Sequence, residues 1–358
     1  MNRFLRTLEQ SGYRQFYLAF GDANFRKKDW TLGARSLPSP LIELVKLFLL
    51  QEPVATKKVL RFLEPELIEE LLACGVLGAH GASLKSNSFF LIFCRSYALF
   101  CQMVLHPLAY FGDDSVALAV LQTPAPGGSV LDLCCGTGIQ SFVAASHAAK
   151  VTGVEIQRKT WQIAELNRRL NNVGQHVRFV CESAEDFASR TKETYDRVLF
   201  NPPLVPMLPG YKFPLAGNGG ADGLEVTRRI IPLYSRRLSQ NGSLEFIGTG
   251  LGRQNHPAVC DQIQALARRH GLGGRIHLLS QHPIRAFAPV FESSVAVLAS
   301  DNNLDPAEAR EKLLAHFKKL GQDAYWMFFA SLQRTAGTRN KELSAIDLTK
   351  SFWGAWFV

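Results

Sequence analysis

Apolar and polar positions change their rhythm near residue 129 of this chain. Ahead of that point the spacing is helical. In "SPLIELVKLFLL" apolar residues recur three and four apart, with Ser39 as a cap and Pro40 in the first turn, which predicts a helix. "TKKVLRFL" and "EPELIEELLACGVL" repeat the pattern, the latter closing at Cys74 and Gly75. The Gly/Ser/Asn-rich start of "GAHGASLKSNSFFLIFCRSYALF" then predicts a turn leading into an aromatic-rich strand.

Beyond residue 129, short apolar runs alternate with helical patterns. "SVLDL", "KVTGVEI", "VRFVC", "YDRVLF" and "SLEFIG" read as strands, separated by helices such as "IQSFVAASHAA", "TWQIAELNRRLNNVG" and "LEVTRRIIPLYSRRLSQNG". "PAVCDQIQALARRHG", "RIHLL" and "SSVAVLAS" complete the alternation. Such a series predicts an α/β fold, a doubly wound and mostly parallel sheet covered by helices on both faces. Ligands of such sheets bind outside the carboxyl ends of the strands, at the switch in strand order. The last stretch opens with "LDPAEAREKLLAHFKKLG", where Asp305 and Pro306 start a helix and Gly321 stops it. "YWMFFASLQ" and "SFWGAWFV" read as a helical cap packed on the core, with a homodimer contact as the next reading. The expected division is residues 1–108, a mainly helical domain; 109–301, an α/β core; and 302–358, a helical extension with an aromatic tail.

Composition narrows the function classes. The chain has 358 residues, 47% of them hydrophobic and 10% aromatic, which is enough for a sizeable core and excludes a disordered chain. No apolar run reaches the roughly 18 residues of a membrane span, and the N-terminus lacks a signal-like apolar segment, so a cytoplasmic protein is expected. Seven cysteines with no C-x-x-C spacing read as small thiols in a reducing compartment, and no metal site is expected. The formal net charge of +9 would suit an anionic partner. The basic pairs in "RRLNN", "TRRII", "SRRLSQ" and "ARRHG" are spread out, which favours wet helix faces over an RNA-binding stripe. His256 and His282 precede prolines in loops and receive no catalytic role.

Chemistry concentrates at the strand tips. "VLDLCCGTG" follows a strand and opens a helix, with Gly136 and Gly138 in its turn, where the chain bends sharply and a ligand approaches the backbone. A dinucleotide fingerprint would need a third glycine where Ser141 stands. Asp132 suits an ammonium group and would repel a pyrophosphate. Glu155, at the next strand tip, suits two ribose hydroxyls. The third tip, "CESAEDF", would lie by a base edge. The fourth, "VLFNPPLVP", ends a buried strand in Asn201, Pro202 and Pro203, residues that fix the backbone and leave carbonyls unengaged.

With the glycine loop, the acidic second tip and "NPPL" in that order, residues 110–300 resemble the class I S-adenosylmethionine-dependent methyltransferases. "GNGGADGL", residues 217–224, looks like the segment after the NPP motif in N5-glutamine and related ribosomal guanine methyltransferases. The resemblance implies a Rossmann-like, seven-stranded sheet and S-adenosylmethionine as cofactor. It implies a cofactor site of Asp132, Cys134, Gly136, Thr137, Gly138, Glu155, Ile156, Ser183, Ala184 and Asn201. It further implies that the Asn201 side-chain oxygen and the Pro202 carbonyl orient an acceptor nitrogen toward the sulfonium methyl. "YFGDDS", residues 110–115, would cover the methionine part of the cofactor or serve as a helix start capped by Asp113 or Asp114.

This chain departs from the family at three positions. Cys134 replaces the loop's usual first glycine. Ser183 replaces an aspartate at the adenine, leaving Glu182 or Glu185 as substitutes. Leu204 replaces the Tyr or Phe that stacks on a planar acceptor. The expected acceptor is therefore an amino or amide nitrogen of a small molecule or peptide. In an alternative, the cofactor's own amine closes an azetidine-2-carboxylate ring and expels methylthioadenosine, with no second substrate. Tyr110, Phe111 or Phe200 would then steady the sulfonium. A further alternative is an RNA-modifying or RNA-binding protein. The N-terminal helices and hairpin resemble a winged-helix-like module, which serves nucleic-acid binding in some proteins and as a lid or dimer contact in enzymes.

Overall fold

The computed structural model describes residues 2–20, 30–31, 33–334 and 343–350. The N-terminal part is built from helices α1 (Asn2–Gln10), α2 (Tyr13–Phe20), α3 (Leu41–Phe48), α4 (Thr56–Val59) and α5 (Pro65–Ala73). Strands β1 (Val54–Ala55), β2 (Leu77–His80) and β3 (Ser83–Ser86) form a small antiparallel sheet in the order β1-β3-β2. Helices thus interleave with a small antiparallel sheet in this part. A second hairpin follows, β4 (Phe89–Cys94) against β5 (Tyr97–Gln102).

The α/β part begins with α6 (Asp113–Leu121), β6 (Ser129–Leu133), α7 (Ile139–Ala145), β7 (Lys150–Glu155) and α8 (Arg158–Leu170). It continues through β8 (Val177–Cys181), α9 (Ala184–Arg190), β9 (Tyr195–Phe200), α10 (Glu225–Tyr234) and β10 (Leu238–Gly252). Then come α11 (Ala258–Arg269), β11 (Leu272–Pro283), α12 (Pro289–Asn302), α13 (Pro306–Lys319), β12 (Ala324–Arg334) and β13 (Ser344–Asp347). The large sheet runs β13-β11-β12-β10-β9-β6-β7-β8. Its β6 to β10 portion is parallel, and only β12 runs against its neighbours β10 and β11. The chain steps outward from β6 to β7 and β8, then returns to place β9 on the other side of β6. That return opens a crevice at the carboxyl ends of β6, β7 and β9.

Three expectations are corrected at the C-terminal end. "YWMFFASLQ" is no helical cap: it lies in β12, in the body of the sheet, buried on both faces at nearly every position. A strand covered on both sides reads as a continuous apolar run, which periodicity cannot tell from a buried helix. A boundary at residue 301 would therefore detach a strand from the sheet. "SSVAVLAS" falls instead within α12, which has Pro289 in its first turn. With β13 added at one edge, the large sheet has eight strands rather than seven. The aromatic stretch "SFWGAWFV", offered as a dimer contact, lies outside the described residues.

The N-terminal part shares its interior with the sheet. One apolar cluster runs from Phe4, Phe48, Leu91 and Phe100 into Val130, Phe142 and Ile163. On α8 the buried Asn167 bonds both backbone groups of Phe100, at 2.8 and 3.2 Å, and Asn171 does the same for Ala98, at 2.8 and 2.7 Å. Two asparagines four apart lie on one helix face, so together they satisfy an edge of β5 as a neighbouring strand would.

Candidate active site

A cavity of about 270 Å³ opens at the carboxyl ends of β6, β7 and β9. Its floor is the turn between β6 and α7, with Cys134, Cys135, Gly136 and Thr137 on the wall. Gly136 has φ +53°, and a Cβ there would meet only the Cys134 carbonyl oxygen, at 3.9 Å. Its open side is therefore the ligand side. The turn is held from below: Cys135 N–H donates to the Val154 carbonyl at 3.1 Å, and Gly136 N–H donates to Glu155 Oε2 at 3.1 Å. Cys134 occupies the left-handed region, φ +55°, where the resembling family has glycine. Burial and the neighbouring carboxylates of Glu155, Asp132 and Glu185 push its thiol well above the usual range, so it is not a ready nucleophile.

Glu155 ends β7 on the cavity wall beside Ile156, and Glu182, Ala184 and Glu185 form the next side. Burial raises the Glu155 carboxyl, opposed by its bonds from Gln157, Gly136 and Ile156 N–H. Ser183 is turned away as the N-cap of α9, its hydroxyl accepting from Asp186 N–H at 2.9 Å. Glu182 and Glu185 are thus the groups that face the cavity there. Glu182 pairs with Arg190, off the wall, at 2.6 Å, and Glu185 pairs with Arg229, itself on the wall, at 3.4 Å.

Asp132 is buried and does not line the cavity. Its Oδ2 accepts from Ser141 N–H at 3.0 Å and Ser141 Oγ–H at 2.7 Å, while Oδ1 has no protein partner. Burial pushes its carboxyl up to about 7. Gly138, at φ +88°, is likewise behind the wall, where a Cβ would collide with Phe142 and Phe179 at 2.9 Å.

Asn201 follows β9 and reaches the cavity together with Pro203 and Tyr110. Its Nδ2 donates to Asp114 Oδ2 at 3.0 Å, while its Oδ1 is buried with no partner. Asp114 also accepts from the Tyr110 hydroxyl at 2.8 Å. Tyr110 is 42% exposed and lines the cavity, with its hydroxyl held by Asp114.

Besides Asp132, Gly138 and Ser183, four more of the expected residues do not line the wall. Pro202 is buried behind Asn201. Phe200 stacks on Phe246, ring centroids 4.4 Å apart, deep in the sheet's core. Phe111 is buried in the N-terminal cluster. Leu204 packs against Ala117, Leu118 and Phe329 in a separate apolar cluster. An apolar residue at a strand tip turns to the nearest core, so these three cannot meet a sulfonium or an acceptor directly. The wall opposite the glycine turn is made instead by Leu215, Ala216, Asn218, Glu225 and Arg229. "GNGGADGL" marks this segment in sequence, but nothing there singles out Arg229. Among the described residues no cluster of three or more His, Cys, Asp or Glu is arranged to hold a metal.

Residues 113–253 match the methyltransferase small domain family. A ribosomal protein uL3 glutamine methyltransferase of Bradyrhizobium diazoefficiens is 32% identical over 159 residues, 41% of this chain and 48% of that one. A Methanocaldococcus jannaschii protein named for the protein N5-glutamine methyltransferases is 30% identical over 156 residues, 42% of this chain and 77% of its own length. The chain belongs to the class I S-adenosylmethionine-dependent methyltransferases. The match spans about half the length of the uL3 enzyme. A third relative, a 4-amino-L-phenylalanine/4-methylamino-L-phenylalanine methyltransferase of Streptomyces pristinaespiralis, is 32% identical over 138 residues, 36% of this chain and 45% of that enzyme. The cavity fits the S-adenosylmethionine of this class: an open glycine turn and an acidic β7 tip line it, and Asp132, buried off the wall, has an orphaned carboxylate oxygen.

Proposed function

We propose that the enzyme methylates an amino or amide nitrogen of a small molecule or peptide. The observation that carries this reading is the Asn201 amide on the cavity wall, whose NH2 is engaged by Asp114 while its oxygen is buried with no protein partner. A buried acceptor without a donor is costly, on the order of 1–3 kcal/mol, unless a ligand supplies one. An acceptor NH2 is the matching donor. The Pro202 carbonyl is the second acceptor of this reading, as a fixed backbone oxygen next in the chain.

In this arrangement Glu155 holds the ribose, and Asp132 answers the ammonium of the cofactor's amino-acid part. Glu182 or Glu185 takes the base edge. When bound, S-adenosylmethionine supplies an electrophilic methyl on a good leaving group. The protein's contribution is then position: Asn201 fixes the nitrogen with its lone pair forward, and the wall around Tyr110 limits water. Tyr110 is the aromatic ring of the wall and the one suited to face a sulfonium.

The surroundings favour a small or peptide acceptor over nucleic acid. Glu182, Glu185 and Glu225 stand on the wall, and carboxylates repel phosphates. Helix α5, in the N-terminal part, carries Glu66, Glu69 and Glu70. Relatives named for glutamine or for an aromatic amine as acceptor agree with a nitrogen acceptor.

The test compares wild type with Asn201→Ala, using N-acetylglutamine amide and 4-aminophenylalanine as acceptors and S-adenosylhomocysteine as the measured product. Turnover is expected to fall at least about a hundredfold, the scale of a lost positioning contact, with cofactor affinity nearly unchanged. An unaltered rate would refute the role of Asn201. Methylthioadenosine formed from S-adenosylmethionine alone would replace this reading by ring closure.

A further inference from the structure

The Asn201 amide reads its orientation from one buried carboxylate. Asp114 is 6% exposed and lies in the first turn of α6. Its Oδ2 accepts from Asn201 Nδ2 at 3.0 Å, and its Oδ1 accepts from Tyr110 Oη–H at 2.8 Å and from Ser115 N–H at 2.9 Å. Ser115 Oγ also lies 3.4 Å from Asn201 Nδ2. An amide has a donor face and an acceptor face. With an ionised carboxylate on one side, only the NH2 is tolerated there, because two acceptor oxygens repel.

We infer that Asp114 is a positioning residue that sets the polarity of the acceptor site: ionised, it turns the Asn201 oxygen to the cavity, and on taking up one proton from solvent it releases the amide to turn its NH2 inward. The inference rests on the reading that Asn201 orients the acceptor nitrogen. The inverted amide presents a donor to an acceptor NH2, so the protonated enzyme cannot hold that nitrogen in place. Tyr110 shares the carboxylate and is placed by the same bond. Gly112 makes room for it, since a Cβ there would overlap the Tyr110 hydroxyl.

Burial raises the Asp114 carboxyl above the usual aspartate range, opposed by its bonds from Asn201, Tyr110 and Ser115. The titratable groups facing Asp114 are Tyr110 and Asp113, whose own carboxyl is pushed up to about 6 by burial and by Asp114. From α7 comes the uncharged Gln140, bonded to the Ser115 carbonyl at 2.8 Å. The charged group that β10 brings to this helix, Glu245, lies at its far end on Thr123 N–H. Below the raised Asp114 range the amide is free; above it the amide is fixed. Activity that depends on Asn201 is therefore lost as pH falls through that range.

The experiment follows the side-chain NH2 resonance of Asn201 in the full chain labelled with 15N-asparagine, identified by its absence in Asn201→Ala, across an acid titration. The wild-type signal is expected to move with one titration step. Asp114→Asn is neutral and isosteric with the protonated acid, so its signal stays at the acid-limit position at every pH and the step vanishes. Asp114→Ala leaves the amide unheld, and its solvent exchange rises at least about tenfold, the equivalent of one lost hydrogen bond. Asp113→Asn retains the step. A signal that does not move in wild type, or a step that survives in Asp114→Asn, overturns the proposal and leaves the acceptor reading intact. Full turnover in Asn201→Ala sinks that reading without altering the titration.

Discussion

Gly136 and Gly138 share a turn and a left-handed backbone, yet a methyl group would do different harm at each. At Gly136 the added Cβ meets only a carbonyl oxygen at 3.9 Å, on the side that faces the cavity. Gly136→Ala is therefore expected to cost only about 1 kcal/mol of stability, the strain of a left-handed alanine, while S-adenosylhomocysteine affinity by calorimetry falls tenfold or more. Equal affinity would show that the cofactor does not lie on this turn. At Gly138 the Cβ would enter the rings of Phe142 and Phe179, so harm there is to packing. These glycines, Glu155 and Asn201 were legible in sequence because strand tips and turns constrain residue type. Whether Phe111, Phe200 and Leu204 reach the cavity was not, because it depends on which core lies nearest. Asp114 could be read as a helix cap, but its bond to Asn201 joins residues 87 apart in sequence.

Among the elements, α8 couples the N-terminal hairpin to the cofactor turn. Asn167, besides its bonds to Phe100, donates to the Thr137 carbonyl at 3.0 Å. Asn171 bonds Ala98 and the Asn167 carbonyl but nothing in the turn. Asn167→Ala should lower stability by about 3 kcal/mol, since it strands several buried backbone groups, and should also weaken S-adenosylhomocysteine binding. Asn171→Ala should lower stability with little change in binding. Equal binding losses in the two variants would contradict the coupling. The alternation from β6 to β9 was legible because half-buried helices and short parallel strands differ in length and period. The placement of β12 was not, since "YWMFFASLQ" is apolar on both faces for the same reason that a buried helix would be.

At the scale of the molecule, one apolar interior joins the N-terminal part to the sheet, and some of the basic side chains are paired. Arg168, Arg169, Arg190, Arg228 and Arg229 each meet a carboxylate. The basic pairs read in sequence as wet helix faces, without these partners, which lie on the same helix for Arg168 and on other segments for the rest. Asp132 adds a dependence on pH. Its carboxyl is raised to about 7 in the fold against an ordinary 3.8, so its burial favours the neutral acid. That contribution is complete below the unfolded value and is lost as pH rises through about 7. An ammonium held at the free Oδ1 reverses the preference. Bound S-adenosylhomocysteine should therefore raise the thermal midpoint more at about pH 8 than at about pH 6, on either side of that value. A larger gain at the lower pH would remove Asp132 from the cofactor site. Among the described residues no helix is long and apolar enough to cross a membrane.

If the cofactor's reactive centre faces the free oxygen of Asn201, a crystal structure with S-adenosylhomocysteine will show it. The ribose is expected on Glu155, the amino group toward Asp132, and the sulfur turned to Asn201 with room for one nitrogen between them. A nucleoside bound elsewhere, or one whose sulfur points away from residue 201, would contradict that placement.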